Sequence, residues 1–324
     1  MKYGVPQGSV LGPILFTIYT SALSDILAED ELNYHCFADD TQLYLGFSPI
    51  APNGQQDALN KMNLSLAKIK TFMSENRLKL NDDKTEFILI GSKYWLDKLN
   101  FDSIKMGNTT IKAVDKARNL GIIFDKEMGL DAQIKNVCKK GYGNLKNVSS
   151  IRRSLDENSA KIAVHAFVTS HLDYGNSLYY GLYKYQIDKL QLLQNSAARV
   201  VKLKRKFDHI SKDLEKMHWL PVAVRIEFKI LLLTWKSLHG QGPEYLQNLL
   251  KINNKNELRP PYKLSLLVPK TNQVTCGDRA FEVVAPILWN SLPDNIRLAD
   301  KLSSFKSKLK TYFFRKCYPN ATNS

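Results

Sequence analysis

The sequence predicts an α+β fold, in which a part with several short strands comes first and a mostly helical part follows. Up to about residue 127, short runs of strand-forming residues alternate with turn residues, as expected of small sheets. From about residue 130 onward, apolar residues recur at intervals of three and four, as on the buried face of a helix. A length of 324 residues is enough for two domains, and we place a boundary between these two patterns.

The first predicted elements are a buried helix over residues 13–28 and a β-hairpin over residues 32–47. Pro13 suits the first turn of a helix, and the apolar residues after it are spaced by three and four positions. Two strand-forming runs then flank the pair Asp39 and Asp40. We therefore expect a hairpin that carries two adjacent carboxylates at its tip.

The later elements follow from the same two periodicities. An amphipathic helix is predicted over residues 59–73, where apolar residues step by three and four. A further strand is predicted over residues 85–91, and a strand pair is predicted over residues 107–114 and 120–125. The segment 251–273 is rich in Asn, Lys and Pro and is predicted to be a long loop. The last predicted element is an amphipathic helix over residues 302–313.

Basic residues are concentrated in the second part of the chain. The formal net charge is +15, and residues 1–100 hold 9 Lys and Arg against 12 Asp and Glu, whereas residues 101–324 hold the remaining 37 against 19. Lysine and arginine gain affinity for nucleic acids by displacing counterions from phosphates, so this distribution indicates a nucleic-acid partner. A lysine-rich surface that serves solubility is the alternative that the charge alone leaves open.

The cysteines and the hydropathy pattern indicate the cellular compartment in which the protein acts. The four cysteines lie far apart and form no CxxC pair, which indicates reduced thiols rather than a zinc site or a disulfide framework. The amino terminus has no signal-peptide pattern, and the apolar run 228–235 is too short to span a bilayer. We therefore expect a protein without membrane contact that acts inside the cell, in the cytoplasm, the nucleus or both.

Three motifs in the first part of the chain carry a family resemblance. They are PQGSVLGP at residues 6–13, FADD at residues 37–40 and LKLNDDKTE at residues 78–86. An Asp-Asp pair by itself is more often a solvated turn than a metal site. In this order and spacing, however, the motifs resemble the palm of reverse transcriptases. The chain is similar to the polymerases of non-long-terminal-repeat (LINE-type, jockey-like) retrotransposons, and the similarity extends through HWLP at residues 218–221 toward the carboxy terminus.

The resemblance implies an RNA-directed DNA polymerase that extends a DNA primer on an RNA template, using Mg²⁺ and deoxynucleoside triphosphates. Asp39 and Asp40 are then metal ligands and catalytic residues, since Mg²⁺ prefers carboxylate oxygens. Lys84 matches the family lysine that protonates the leaving pyrophosphate. The residues expected beside the incoming nucleotide and template are Gln7, Gly8 and Phe37. Without the resemblance, the PQG run is an ordinary turn before a helix and Lys84 is an exposed turn lysine.

A basic helical segment follows the part that resembles a palm. By the resemblance, residues 120–125 belong to a strand pair that grips the primer, and the segment after them lies in a thumb that contacts the phosphate backbone of the duplex. The residues expected to make these contacts are Lys135, Lys139, Lys140, Lys146, Arg152 and Arg153. Two further basic runs, residues 202–206 and 301–316, fit RNA binding, nuclear import or a solvated helix face.

The predicted architecture is therefore a partial palm subdomain of a right-hand polymerase, followed by a mostly helical thumb and carboxy-terminal region. We assign residues 1–127 to the palm, residues 128–155 to a thumb-like helical segment and residues 156–324 to a helical region of unknown role. The family takes its first catalytic carboxylate from a strand before the PQG motif, and here only residues 1–3 precede the block that begins at Gly4. We expect this chain by itself to be a truncated polymerase with little or no activity.

Two other functions stay open. The chain could be a basic nucleic-acid-binding module in which Asp39 and Asp40 are relics of a polymerase site, or an interaction protein that binds no nucleic acid. An effect of Asp39→Ala that depends on Mg²⁺ separates the polymerase from the module. Affinity for nucleic acid that weakens with added salt separates both from the interaction protein.

Overall fold

The structure is a computed structural model. It describes residues 5–6, 8–29, 32–253, 265–271 and 276–319. The chain folds into two compact units, Met1–Gly129 and Leu130–Ser324, which we call the amino-terminal unit and the carboxy-terminal unit. The described residues form helices and three small antiparallel sheets, which confirms the α+β class.

The amino-terminal unit combines helices with three two-stranded sheets in its described residues. Its helices are α1 (Gly12–Tyr19), α2 (Ala22–Glu29), α3 (Gly54–Glu75) and α4 (Lys93–Leu96). Its strand pairs are β1 (Asn33–Phe37) with β2 (Asp40–Tyr44), β3 (Ser103–Met106) with β4 (Thr109–Lys112), and β5 (Lys116–Asn119) with β6 (Ile122–Asp125). A 3₁₀ turn spans Asp82–Lys84.

The helix predicted over residues 13–28 is interrupted between α1 and α2. Thr20 Oγ1 and Ser21 Oγ donate hydrogen bonds of 2.9 and 2.8 Å to backbone carbonyl groups of α1. Hydroxyl groups that bond nearby carbonyl groups in this way compete with helical hydrogen bonding. The expectation of burial was wrong for α1, since none of its residues, all of which the structure describes, is buried. In contrast, α2 buries Leu23 and Leu27.

The core of the amino-terminal unit joins α2 and α3 to the β1–β2 hairpin. Ile69 and Phe72 of α3 are buried against α2, and Tyr34 and Leu43 of the hairpin pack against the same cluster. Tyr34 and Leu43 are paired near the open end of the hairpin. A second cluster, centred on the buried Met106, joins α3 to β3 and β4. The hairpin is therefore held by its open end, which leaves its tip in solvent.

Two tight hairpins replace the single strand pair that was predicted over residues 107–114 and 120–125. The turn between β3 and β4 contains Gly107, whose φ is +62°. The turn between β5 and β6 consists of Leu120 and Gly121, both with positive φ. Two-residue turns of this kind join neighbouring strands most directly. Each hairpin therefore pairs within itself, and the predicted pairing of residues 107–114 with residues 120–125 does not form.

The carboxy-terminal unit is helical in its described residues. Its helices are α5 (Asp131–Ile151), α6 (Glu157–Val164), α7 (Ser170–Asp173), α8 (Lys184–Val201), α9 (Ser211–Lys216), α10 (Val222–Leu238), α11 (Glu244–Asn248), α12 (Phe281–Asn290), α13 (Asp294–Arg297) and α14 (Leu302–Cys317). A single π-helical turn, His165–Thr169, lies between α6 and α7. None of the helices described in either unit is both long and apolar enough to cross a bilayer.

The remaining predicted elements have mixed outcomes. The amphipathic helices over residues 59–73 and 302–313 are confirmed as α3 and α14. The prediction of a strand over residues 85–91 was wrong. This extended segment forms one isolated parallel bridge, at Phe87, and no strand. The loop predicted over residues 251–273 lies largely outside the described residues.

α10 occupies the centre of the carboxy-terminal unit. Its Trp235 is fully buried and donates a hydrogen bond from Nε1 to Ala299 O at 2.9 Å. The Trp235 ring stacks on the ring of Phe305 in α14, with centroids 5.8 Å apart. Trp289 of α12 lies on the same Phe305 ring at 5.9 Å. Aromatic side chains from α10, α12 and α14 therefore form one core.

The segment 218–221 connects this core to α8. Trp219 is buried, and its carbonyl group accepts a hydrogen bond from the hydroxyl of Tyr318 at 2.9 Å. The carbonyl group of Leu220 accepts a hydrogen bond from Gln194 Nε2 at 2.9 Å. The segment therefore has a structural role, because its backbone ties α8 to the end of α14.

Candidate active site and nucleic-acid interface

A two-residue turn joins β1 to β2 and carries the first aspartate of the pair. Phe37 pairs with Asp40 across the hairpin, so Ala38 and Asp39 form the turn. Ala38 has a φ of 56°, a left-handed conformation that costs a residue with a side chain roughly 1–2 kcal/mol. The predicted hairpin with two carboxylates at its tip is confirmed.

The tip of this hairpin is open to solvent. Asp39 and Asp40 are both exposed, and Phe37 is 67% exposed. Two adjacent carboxylates repel each other, and a divalent cation with a preference for oxygen ligands relieves that repulsion. Within the described part of the chain, no three potential His, Cys, Asp or Glu ligands come together. The hairpin therefore offers a metal ion two carboxylate groups.

The PQG segment lies before α1. Gln7 is outside the described residues. Gly8 has a φ of +87°, and no described atom other than those of the glycine and its two chain neighbours lies within 4 Å of the place where a Cβ would stand. Ser9 N donates to Pro6 O at 3.1 Å, and Ser9 Oγ accepts a hydrogen bond from Gly12 N at 3.1 Å. The turn conformation alone therefore requires glycine at position 8, and its surroundings leave space for a ligand.

Lys84 ends the 3₁₀ turn Asp82–Lys84 and is exposed. The turn is held by Asp82, whose Oδ2 accepts hydrogen bonds from Lys70 Nζ at 3.2 Å and from Thr109 Oγ1 at 3.1 Å. These bonds, together with the positive charges of Lys70 and Lys79, lower the pKa of Asp82. Asp82 thus fixes the position of the turn that carries Lys84.

Sequence reasoning missed this contribution of Asp82. The run of polar residues at 81–83 indicated a turn, but nothing in it pointed to Lys70 or Thr109 as partners. These partners lie 12 and 27 residues away along the chain. Only the packing of α3 against β3 and β4 brings them to the turn.

Replacing Asp82 with asparagine is expected to make the stability of the amino-terminal unit less sensitive to acid. A carboxyl group whose pKa is lowered by folding stabilises the fold above its unfolded pKa, which is about 3.8 here. That stabilisation is lost as the pH falls through the lowered pKa. Thermal unfolding measured from about pH 5 to pH 2 should therefore show a steeper loss of stability for the wild type than for Asp82→Asn.

Asp83→Asn is the matched control, because Asp83 is exposed and follows Asp82 in the same turn. This variant should keep the wild-type dependence on pH. Equal pH dependence in the wild type and in Asp82→Asn would show that the Lys70 and Thr109 contacts do not act on stability.

Five of the six predicted nucleic-acid-binding residues are exposed. They are Lys135, Lys139, Lys140, Lys146 and Arg153. The first four lie on α5, and the opposite face of this helix is buried through residues such as Ile134, Val137 and Leu145. Their amine groups are therefore available to phosphates.

Arg152, the sixth residue, requires a correction because it is buried, with 7% of its surface exposed. Its guanidinium group donates hydrogen bonds to Val200 O at 3.0 Å, to Val201 O at 2.6 Å and to Leu155 O at 2.6 Å. Val200 and Val201 end α8, where carbonyl groups have no partner within the helix. Arg152 therefore caps α8 and is not available to a nucleic acid.

Comparison with known proteins bears on the segment that contains the hairpin. Residues 1–124 match the family model described as "Reverse transcriptase (RNA-dependent DNA polymerase)". This part of the chain carries a reverse transcriptase domain. The match includes Gly8, the Asp39 and Asp40 hairpin and the turn of Lys84, whereas α5 lies beyond its last matched residue.

One curated relative is similar over a longer stretch. It is described as "Probable RNA-directed DNA polymerase from transposon BS" of Drosophila melanogaster, and it is 26% identical over 216 residues. The aligned part is 62% of this chain, so it extends beyond the reverse transcriptase match into the carboxy-terminal unit. The chain spans about a fifth of the length of this relative, 22%. No solved structure matches the chain.

Proposed function

We propose that the chain acts in RNA-directed DNA synthesis, as the palm and the following helical part of a reverse transcriptase of the non-long-terminal-repeat (LINE-type, jockey-like) kind. One observation carries the proposal. Two adjacent, exposed carboxylates, Asp39 and Asp40, lie at the tip of a hairpin that is anchored in a core, inside the segment that matches reverse transcriptases. The proposed substrates are an RNA template, a DNA primer and deoxynucleoside triphosphates.

The proposed metal ligands are Asp39 and Asp40. Their oxygen donors suit Mg²⁺, which takes carboxylate, phosphate and water oxygens. When bound, Mg²⁺ would activate the 3′-hydroxyl of the primer and neutralise the charge of the triphosphate. Two carboxylates leave coordination positions for substrate phosphates and water. Anchoring of the hairpin through Tyr34 and Leu43 supports this role, because it limits the positions that the aspartates can take.

Other exposed residues have supporting roles in the proposal. Phe37, Gly8 and Gln7 would lie beside the incoming nucleotide, where the ring of Phe37 offers an apolar surface and Gly8 lets the backbone approach closely. Lys84 would donate a proton to the leaving pyrophosphate, as an exposed ammonium group can. The exposed lysines of α5 and Arg153 would contact phosphates of the template and primer. The proposed compartment is the cytoplasm, the nucleus or both. None of the four cysteines forms a disulfide bond in the structure.

Replacing Asp39 with asparagine is expected to weaken Mn²⁺ binding at least about tenfold, because the variant loses a charged oxygen ligand. Mn²⁺ replaces Mg²⁺ as the probe because it accepts the same oxygen ligands and is visible by electron paramagnetic resonance. The titration would use the full chain with primer, RNA template and deoxynucleoside triphosphates. Because little or no activity is expected of this chain by itself, Mn²⁺ binding is the main readout, and any primer extension that the wild type shows in the same samples should fall together with the bound Mn²⁺.

Asp83→Asn is the control for this experiment, since it removes the same charge from an exposed turn of the same unit. It should leave the titration unchanged. The polymerase proposal fails if Asp39→Asn binds Mn²⁺ as tightly as the wild type and any primer extension persists at the wild-type rate.

A nucleic-acid-binding module with a relic polymerase site is the second candidate. The observation that favours it is the exposed lysine face of α5, which belongs to the carboxy-terminal unit and does not depend on the hairpin. This candidate predicts RNA binding that weakens with added salt and is the same in the wild type and in Asp39→Asn.

A further inference from the structure

α5 and α8 lie side by side in the carboxy-terminal unit and run in the same direction. At their beginnings, the hydroxyl of Tyr185 donates to the carboxylate of Asp131 at 3.3 Å. Midway, Gly141 faces Leu193, and a Cβ at position 141 would stand 2.4 Å from a methyl carbon of that leucine. At their ends, Arg152 binds the last carbonyl groups of α8. Contacts along the full length of both helices therefore hold their outward faces next to each other.

The outward face of α5 carries three lysines and a tyrosine in one row. Lys135, Lys139, Tyr142 and Lys146 are all exposed, and at 3.6 residues per turn they fall within about 60° of the helix circumference. Tyr142 is 43% exposed. Its ring therefore lies in the basic row and not in the core.

The beginning of α8 adds a pair of stacked rings. Tyr183 is 69% exposed, and its ring lies 5.9 Å from that of Tyr185 with an angle of 15° between the planes. Lys189 Nζ lies over the Tyr185 ring at 4.9 Å. Because the hydroxyl of Tyr185 donates a hydrogen bond to Asp131, the two tyrosine rings lie beside the first turn of α5. Both helices therefore expose basic and aromatic side chains.

We propose that this surface binds a single-stranded nucleic acid, with the lysines on its phosphates and the tyrosine rings stacked on its bases. We call it the aromatic–basic surface and define it by Lys135, Lys139, Tyr142, Lys146, Tyr183 and Lys189. Proteins that bind single strands without sequence preference combine a positive track for the backbone with aromatic rings for successive bases. The α5 segment and the following turn, residues 131–154, contain five exposed basic residues and one acidic residue.

The exposed tyrosine rings favour a single strand over a duplex as the ligand of this surface. Lysine side chains bind the phosphates of either form. A duplex keeps its bases stacked on one another, so it has no free base face for Tyr142 or Tyr183. An exposed tyrosine between lysines gains binding free energy only from a base that is unstacked.

This inference deepens the proposed function in one respect, since it rests on the phosphate contacts of the α5 lysines. It does not depend on the metal site, because single-strand binding needs no Mg²⁺. The two proposals can therefore fail separately.

The test measures binding of the full chain to labelled oligonucleotides by fluorescence anisotropy, with EDTA present. The probes are an oligouridylate and an oligothymidylate of about 12 nucleotides and a duplex of the same length. Tyr142→Ala and Tyr183→Ala should each weaken single-strand binding about tenfold and change duplex binding less than about twofold. Tyr142→Phe and Tyr183→Phe should bind like the wild type, because they keep the ring. Whichever single strand binds more tightly identifies the RNA or the DNA strand as the ligand.

Two sets of controls separate stacking from charge. Tyr245→Ala removes an exposed tyrosine of α11 and should leave binding unchanged. Lys139→Ala should weaken binding to the single strand and to the duplex alike. It should also reduce the slope of the logarithm of the binding constant against the logarithm of the salt concentration by about one. If Lys139→Ala weakens binding but both tyrosine-to-alanine variants bind like the wild type, the aromatic–basic surface is refuted and the phosphate contacts remain. If Lys139→Ala has no effect either, the phosphate contacts are refuted as well.

Discussion

Replacing Arg152 with alanine is expected to lower the free energy of unfolding of the carboxy-terminal unit by about 3 kcal/mol. The guanidinium group is buried and donates to carbonyl groups at the end of α8 and to Leu155 O. Its removal takes away the side-chain donor to Val201 O and Leu155 O, whereas Val200 O still accepts a hydrogen bond from Leu203 N. Each unsatisfied buried group costs roughly 1–3 kcal/mol. The positive charge at the carboxyl end of α8 is also lost, and that charge favours the helix dipole.

The measurement is urea unfolding of the full chain, followed by far-ultraviolet circular dichroism. Arg152→Lys should recover only part of the stability, because one ammonium group cannot bond carbonyl groups that the planar guanidinium reaches in several directions.

Arg153→Ala is the matched control for this prediction. Arg153 is the next residue in the chain, but it is exposed. Its replacement should change the free energy of unfolding by less than about 0.5 kcal/mol and should weaken nucleic-acid binding at low salt. If Arg152→Ala were as stable as Arg153→Ala, the assignment of Arg152 as the cap of α8 would be wrong.

Replacing Trp235 with alanine is expected to cost about 4 kcal/mol of stability, the largest effect that we predict for a single side chain. Trp235 is a fully buried residue of α10. Its ring stacks on the ring of Phe305 in α14, and its Nε1 donates a hydrogen bond to Ala299 O. Alanine would leave a large cavity and an unsatisfied carbonyl group. The same urea unfolding experiment measures the loss.

Trp235→Phe separates the ring from the hydrogen bond. Phenylalanine keeps an aromatic ring against Phe305 but cannot donate to Ala299 O, so we expect a loss of only about 1–2 kcal/mol. A loss as large as that of Trp235→Ala would show that the hydrogen bond, and not the packing of the ring, holds α14 on α10.

The candidate site was more predictable than the fold around it. The hairpin of Asp39 and Asp40 depends on strand-forming runs and a two-residue turn, and all of these lie within about fifteen residues of each other. The motifs around Gly8 and Lys84 are local in the same sense. The sequence could therefore indicate where the two carboxylates lie.

The extent of pairing and burial was less predictable. Apolar spacing indicated a helix over residues 13–28 but not its interruption at Thr20, because the hydroxyl competes for a carbonyl group that a helix former would leave alone. The strand expected at residues 85–91 has strand-forming residues but only an isolated bridge as a partner. A segment becomes a β-strand only where another strand is available to pair with it. The intrinsic strand propensity of its residues does not determine whether such a partner is present.

By itself, the sequence determined the α+β class, the hairpin with two adjacent carboxylates and the basic character of the second part of the chain. Only the tertiary structure decided that Arg152 is buried while Arg153 is exposed, and that the stacked rings of Tyr183 and Tyr185 lie beside the first turn of α5. The physical reason is the range of the interactions. Turns and helix faces follow from neighbours in sequence, whereas the burial of Arg152 depends on carbonyl groups 48 and 49 residues away, which only the packing of α8 brings within reach.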